Sequence, residues 1–187
     1  MSMRSFTLGY VMSNIFIAPL AALFVLVVGV PAQAEAVVGY GAFTPLPQAG
    51  EQPAPQREYR VIVDLTQGGP DDKPLKGLER VARLTNMLAA SGVPAERRKI
   101  VVVMHGGASL ASLSDAAWAA RGKGTTNPNS ALVRALTAAG VQVRLCGQSM
   151  VANGLTEADL EPSVQVDLAA LMTVIHHQQA GYALIMN

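Results

Sequence analysis

The sequence predicts an α/β fold: a single three-layer α/β/α domain built on a five-stranded, mainly parallel sheet. Two observations support this prediction. Strand-like apolar segments alternate with helical segments along residues 58–187, and such alternation favours parallel strands with helices on both faces. The segment 100–104 is apolar throughout, as expected of a central parallel strand that is covered on both sides.

Five segments have the composition of strands. In chain order they are 59–66, 100–104, 141–145, 164–166 and 182–186. In the third segment, Gln142 and Arg144 alternate with apolar residues and therefore face one helix layer. Because a helix layer is an unfavourable place for polar side chains, we expect a cleft or a subunit contact there. This pattern favours a homo-oligomer.

Four segments are predicted to be helices: 75–91, 112–120, 130–139 and 167–179. In the first, apolar residues share one face and charged residues lie on the others. The last carries four apolar residues at core spacing, and we expect this face to pack against the sheet. These residues are Leu168, Leu171, Met172 and Ile175.

The first 34 residues have the pattern of a secretory signal peptide. A single cation, Arg4, precedes the nearly uncharged apolar stretch 11–30, and an Ala-x-Ala motif ends at Ala34. We expect cleavage after Ala34 and export to the periplasm, with no membrane association afterwards. An uncleaved membrane anchor is the alternative, because about 20 apolar residues can span a bilayer.

The next segment, residues 35–57, contains four prolines and three glycines. This composition predicts an extended linker rather than a packed element. The folded domain is therefore expected to begin near Arg57 and to occupy residues 58–187.

Charge and motif content argue against several function classes. One of the 14 Lys+Arg residues, Arg4, lies in the signal segment, so the rest of the chain has as many basic residues as its 13 acidic ones. This neutrality excludes nucleic-acid binding, which needs a basic excess. The sequence has no dinucleotide or phosphate-loop motif, no serine-hydrolase elbow and no Cys-x-x-Cys pair. One cysteine and no spaced histidine pair argue against a metal site, and no cofactor is expected.

Candidate functional residues lie at the predicted carboxyl ends of three strands, where open parallel sheets bind ligands. The only cysteine, Cys146, cannot form an internal disulfide and is therefore either buried and inert or reactive. We expect a partly exposed thiol with a pKa below the free value of about 8.5, and His105 as its base or hydrogen-bond partner. Glycines at such turns let backbone amides approach a bound group. The candidate binding residues are Gln67, Gly68, Gly106, Gly107, Gly147, Gln148 and Ser149.

Taken together, these segments resemble the DsrE/DsrF-like family over roughly residues 57–187. The most specific pieces are Cys-Gly-Gln-Ser at 146–149 and Gln-x-Gly-Tyr at 179–182. The segments that carry the likeness are 59–66, the helix with Asn86, 101–106, 139–149 and 178–183.

The resemblance implies a three-layer fold with five parallel strands, often assembled into oligomers. The family includes sulfur-relay proteins in which a cysteine accepts sulfane sulfur as a persulfide and passes it on. Cys146 would be that cysteine, with a sulfur donor or acceptor protein or a small thiol as partner. Two hypotheses follow: an exported thiol-based sulfur carrier or transferase, and a non-catalytic binding or assembly module on the same scaffold.

Overall fold

The computed structural model describes residues 35–186. The predicted signal peptide, residues 1–34, lies outside the described residues. Within residues 35–186, no helix has the length and the apolar character needed to cross a membrane.

Five strands form the central sheet: β1 Tyr59–Leu65, β2 Arg98–Met104, β3 Gln142–Cys146, β4 Gln165–Asp167 and β5 Ala183–Met186. Their spatial order is β4-β3-β2-β1-β5, and every neighbouring pair is parallel. β2 lies in the middle, and its residues from Ile100 to Met104 are all buried. The predicted α/β fold with five strands is confirmed.

The α-helices of the described residues are α1 Lys76–Ala90, α2 Asp115–Ala120, α3 Ser130–Ala138, α4 Gly147–Ala152 and α5 Ala170–Gln179. On one face of the sheet, α1 and α3 contribute Leu78 and Leu136 to the main core cluster. On the other face, α5 contributes Ala170 to a smaller cluster that contains Ile62 and Val101. The sheet is therefore the middle of three layers.

The apolar face of α5 points away from the sheet. Leu168 and Leu171 are 74% and 75% exposed, and Met172 and Ile175 are exposed as well, so the prediction that they pack in the core is wrong. The buried residues of α5 are Ala170 and Thr173 instead. Helical spacing shows which residues share a face but not which face meets the sheet. Here the small face packs inward, and the large apolar residues remain in contact with solvent.

The packed part of the chain begins earlier than the sequence predicts. Val37, which the sequence analysis places in a linker, is fully buried in the main core cluster. Its N–H donates to Asn86 Oδ1 at 2.8 Å, and Asn86 Nδ2 donates to the Tyr40 carbonyl at 2.8 Å. At Gly41, which has a φ of +65°, a Cβ would clash with the Arg83 backbone nitrogen. The first residues after position 34 thus pack on α1, because the buried Asn86 amide needs these backbone partners.

The polar face of β3 satisfies its hydrogen bonds largely within the chain. Arg144 Nη1 donates to Asp167 Oδ1 at 3.0 Å, and Arg144 Nη2 donates to Gln142 Oε1 at 2.8 Å. These polar side chains therefore do not by themselves require a subunit contact, which weakens that part of the argument for an oligomer.

Candidate functional site

Cys146 is the last residue of β3 and the N-cap of α4. It belongs to the small cluster on the α5 face of the sheet, together with Val103 and Ala170. Only 5% of the residue is exposed to solvent. The thiol thus lies at the carboxyl edge of the sheet but is covered by its surroundings, and the prediction that it is partly exposed is wrong.

Backbone N–H groups surround the Cys146 sulfur. Burial raises the pKa of this thiol, but hydrogen bonds from the N–H of Ala170, from the N–H and hydroxyl of Ser149 and from the N–H of Gln148 lower it. The net result is a pKa below the ordinary value for cysteine, which is the direction that the sequence analysis expects. Since the thiolate is the nucleophilic form, these donors favour reaction at Cys146.

The residues after Cys146 form the short helix α4, which is not among the helices predicted from the sequence. At Gly147, the first residue of α4, a Cβ would lie 2.9 Å from the Asp167 carbonyl oxygen, so glycine permits this close approach. Gln148 Nε2 donates to the Leu168 carbonyl at 3.3 Å. The first turn of a helix has N–H groups without intrahelical acceptors. Packing α4 against the segment between β4 and α5 directs two of these N–H groups to the thiol.

Ser149 connects the thiol to the loop that follows β2. Its hydroxyl donates toward the Cys146 sulfur, and its Oγ accepts the N–H of Gly106 at 3.1 Å. Gly106 has a φ of +54°, a left-handed conformation that glycine adopts readily. The carboxyl ends of β2 and β3 are thereby joined directly beside Cys146.

His105 follows β2 and is paired with an acidic residue of β1. His105 Nε2 lies 2.6 Å from Asp64 Oδ1, and the His105 N–H donates to the Leu65 carbonyl at 2.9 Å. The His105 and Asp64 side chains are 28% and 19% exposed, so both are more accessible than Cys146. The hydrogen-bond donors that set the thiol pKa do not include His105. The expected direct hydrogen bond between His105 and Cys146 is therefore not part of this arrangement.

The sequence profile of the DsrE/DsrF-like family matches residues 60–186. The chain belongs to the DsrE/DsrF-like family. Among solved structures, it is similar to a protein of unknown function from Methanobacterium thermoautotrophicum, with a TM-score of 0.52 and 20% sequence identity. That match covers 70% of this chain and 100% of the other, and it supports the fold alone. No curated protein matches the chain significantly.

Two other predicted binding residues of this DsrE/DsrF-like domain have a packing role. A Cβ on Gly107 would lie 2.8 Å from the Gly68 nitrogen, and one on Gly68 would lie 3.0 Å from the Gly107 carbonyl oxygen. The loops after β1 and β2 therefore touch through backbone atoms. Gln67 is exposed and lines a cavity of about 300 Å³ together with Lys76 and Arg80 of α1. Cys146 does not line this cavity, so Gln67 and the thiol face different spaces.

Metal ligands are not clustered in the part of the chain that the structure describes. Within residues 35–186, no group of three or more His, Cys, Asp and Glu residues is arranged to hold a metal ion. His177 Nδ1 bonds to the Thr173 carbonyl at 2.7 Å, and its ring lies edge-on to Tyr182.

Sequence reasoning missed two members of this site. Asp64 had a recognisable signal, because it is a carboxylate near the carboxyl end of an otherwise apolar stretch of β1. Ala170 had no side-chain signal, since it acts through its backbone N–H. Its role becomes visible only when α5 begins at residue 170 and packs over the end of β3.

Proposed function

We propose that this chain is an exported, thiol-based sulfur carrier or transferase that holds a sulfane sulfur on Cys146 as a persulfide. The observation that supports this proposal best is the set of donors from Ala170, Ser149 and Gln148 that surrounds the sulfur and lowers its pKa. A thiolate and the anionic form of a persulfide are both stabilised by such N–H groups. Membership in the DsrE/DsrF-like family supports a sulfur-relay type of fold.

The loading step is a sulfur transfer between thiols. The Cys146 thiolate attacks the outer sulfur of a donor persulfide, R–S–SH, and forms a new S–S bond. The S–S bond of the donor breaks, and the donor leaves as a thiolate that is then protonated to R–SH. Cys146 becomes oxidised to the persulfide level while the donor is reduced to a thiol, so no further oxidant or reductant is consumed.

The absence of a second cysteine in the sequence determines how the sulfur leaves. A persulfide on Cys146 cannot form a disulfide within the same chain, because there is no resolving thiol. An external thiol, on a partner protein or a small molecule, must attack the outer sulfur and restore the Cys146 thiolate. This requirement suits a carrier and not a self-contained dithiol oxidoreductase.

Access to the thiol requires a local opening in this proposal. Cys146 is covered by the first residue of α5, Ala170, and the segment before α5 contacts the start of α4 through Gly147 and Gln148. Displacement of the start of α5 exposes the sulfur and removes one of its N–H donors at the same time. A docked donor or acceptor that favours the open form would therefore change the exposure of the thiol and its pKa together.

The experiment offers glutathione persulfide to the purified, reduced protein and measures intact mass. We expect the wild type to gain one sulfur atom and Cys146→Ser to gain none, with the same circular dichroism spectrum for both. Treatment with a thiol reductant should remove the added sulfur. A wild type that gains no sulfur under these conditions, and that alkylates as slowly as a buried thiol of ordinary pKa, contradicts the proposal.

A non-catalytic assembly module is the second candidate, and the outer face of α5 favours it. Leu168, just before α5, and Leu171 and Ile175 on it are exposed and form what we call the apolar stripe, whereas Cys146 is nearly buried. We propose that a second copy of the chain covers this stripe, which makes the protein a homo-oligomer. Persulfide loading separates the two candidates, because an assembly module needs the stripe but not a reactive thiol.

Export is also proposed, on the strength of the signal-peptide pattern in residues 1–34. Cleavage after Ala34 leaves intact the segment that packs on α1, since Val37 is the first core residue within residues 35–186. Intact-mass measurement of protein from the native host should give a chain that begins at Glu35. Recovery of the full-length chain from membranes contradicts cleavage and supports the anchor alternative.

A further inference from the structure

The register of the sheet places His105 and Cys146 in one row, with Asp64 of β1 diagonally beside them. Val103 pairs with Arg144 and Met104 with Leu145, so the next pair along β2 and β3 is His105 and Cys146. His105 has an extended backbone, with φ −152° and ψ 178°, and the side chains of alternate residues lie on one face. His105 therefore follows Val103 on the α5 face, the face on which Cys146 also lies.

Asp64 extends this row diagonally from β1, since its partner on β2 is Val103, two residues before His105. It alternates with Ile62, which belongs to the same cluster on the α5 face, and its carboxylate bonds to His105 Nε2. An acidic residue of β1, a histidine directly after β2 and the cysteine that ends β3 thus lie near one another on the α5 face. The sequence separates Asp64 from His105 by 41 residues, so only the fold brings them together.

We propose that the Asp64–His105 pair is the proton donor that protonates the thiolate leaving from the sulfur donor when Cys146 is loaded. This inference rests on the proposed sulfur-carrier function. In this role His105 acts on the leaving sulfur, and Asp64 is a positioning residue that acts through His105. Because Asp64 accepts the hydrogen bond from Nε2, the ring nitrogen Nδ1 is the one that transfers the proton.

The hydrogen bonds at the thiol give His105 a role other than activating Cys146. The sulfur already receives donors from the backbone and from Ser149, and these stabilise the thiolate without an imidazole. His105 is hydrogen-bonded to Asp64. It is also more exposed than Cys146, with 28% of its side chain accessible to solvent against 5% of the Cys146 residue. A donor that approaches the thiol from solvent therefore meets the imidazole at its leaving-group side.

The proton balance of the loading step is closed by this pair. The Cys146 sulfur forms a bond to the outer sulfur of R–S–SH, and the bond between the two donor sulfurs breaks. His105 Nδ1 first takes up the proton that Cys146 or the persulfide releases, and the resulting imidazolium then donates it to the leaving R–S⁻, which departs as R–SH. The carboxylate of Asp64 stabilises the imidazolium between these two transfers.

The other charged groups around this row are already paired. On the β3 and β4 side, Arg144 bonds to Asp167, and Asp167 also accepts the Thr173 hydroxyl of α5 at 2.7 Å. The charged partner that contacts the His105 ring is therefore Asp64. Substitution of Asp64 tests the pair without changing the groups that surround the thiol.

The test compares two reagents whose leaving groups differ in their need for a proton. Attack on glutathione persulfide releases a basic alkyl thiolate, whereas attack on methyl methanethiosulfonate releases a weakly basic sulfinate. His105→Gln and Asp64→Asn should each slow sulfur loading from glutathione persulfide by about 100-fold, the lower end of the range for a general acid. Both variants should react with methyl methanethiosulfonate at the wild-type rate. Added imidazole should restore loading in His105→Ala.

Matched controls use the same substitutions at surface positions. His176→Gln changes an exposed histidine of α5, and Asp71→Asn changes an exposed carboxylate that pairs with Lys123. Both should load sulfur at the wild-type rate. If one of the site variants fails to fold by circular dichroism, the other decides the question.

The remaining outcomes distinguish failure of the proton-donor role from failure of the carrier function. If the wild type loads sulfur and both site variants load equally fast, the pair is not the proton donor, but the carrier function stands. If the variants lose reactivity with both reagents to the same extent, the pair only positions the thiol and the inference is wrong. If the wild type does not load at all, the proposed function itself fails, together with this inference.

Discussion

The N–H of Ala170 donates a hydrogen bond to the Cys146 sulfur and so ties the first residue of α5 to the last residue of β3. The same helix presents Leu171 and Ile175 to solvent. One face of α5 thus stabilises the thiolate while another is available for association. Movement of α5 on binding a partner would change both the exposure and the pKa of the thiol.

Removal of the Ser149 hydroxyl tests the origin of the low thiol pKa. Ser149→Ala should raise the pKa of Cys146, because the thiolate loses a hydrogen bond that the thiol needs less. Alkylation with iodoacetamide as a function of pH measures the shift, and the rate near pH 7 should fall. Ser114→Ala is the matched control: it removes the N-cap of α2, at a cost of about 1 kcal/mol in stability, and should leave the thiol pKa unchanged. An identical titration for Ser149→Ala and wild type would show that the backbone donors alone are responsible.

Stability should depend on pH through the same thiol. Since the folded pKa of Cys146 is lowered, the unfolded chain binds more protons between the folded pKa and the unfolded value of about 8.5. The free energy of unfolding contributed by this group therefore rises with pH across that window. It is fully present above the unfolded pKa and lost as pH falls through the folded one.

Urea unfolding of the reduced wild type and of Cys146→Ser, at a series of pH values, measures this dependence. The stability difference, wild type minus variant, should increase with pH over the window, because serine does not titrate there. A difference that is independent of pH, or that decreases as pH rises, contradicts the lowered pKa.

The sequence predicts the strands and the first helix closely, because their hydrophobic periodicity is strong. The segment 59–66 becomes β1, Tyr59–Leu65, and the segment 75–91 becomes α1, Lys76–Ala90. The position of Cys146 at a strand end also follows from sequence, since the alternation at Gln142 and Arg144 marks β3. These features depend on local patterns that a single segment contains.

Features that depend on contacts between distant segments were not accessible in this way. The pairing of Asp64 with His105 joins two strands, and the donation from Ala170 to Cys146 uses a backbone group. The inward face of α5 is set by Ala170 and Thr173, whose small size and hydrogen bonds favour close packing. The exposed apolar residues of α5, such as Leu171, have the same spacing as a core face. Periodicity alone therefore predicted the wrong face of α5 to pack against the sheet.

Packing of the segment before β1 predicts that two neighbouring valines differ sharply in their effect on stability. Val37 is fully buried, whereas Val38 is 74% exposed. Val37→Ala should reduce the free energy of unfolding by about 2 kcal/mol, from the lost burial of two methyl groups and the cavity that remains. Val38→Ala should change it by no more than about 0.5 kcal/mol. Equal effects in denaturant unfolding would instead favour the linker that the sequence predicts.

The outer face of α5 yields the last prediction, which concerns assembly. Leu171 and Ile175 are one turn apart and share one side of α5, Leu168 lies just before the helix, and each of the three is exposed. Contiguous apolar patches on a soluble protein are typical of association surfaces. We expect light scattering at micromolar concentration to give the mass of an oligomer for the wild type.

The double variant Leu171→Glu, Ile175→Glu should weaken this association by at least about 100-fold and give a monomer mass. Burial of each such side chain contributes about 1.5–3 kcal/mol, and two buried carboxylates would in addition have to be desolvated. His176→Glu, an exposed change on the same helix that lies off the side shared by Leu171 and Ile175, is the matched control and should leave the oligomer intact. The variant should also keep the lowered pKa of Cys146, because its substitutions lie on the exposed side of α5 and Ala170 is unchanged. A monomeric wild type, or a double variant with the wild-type mass, would show that the apolar stripe is not the contact between copies.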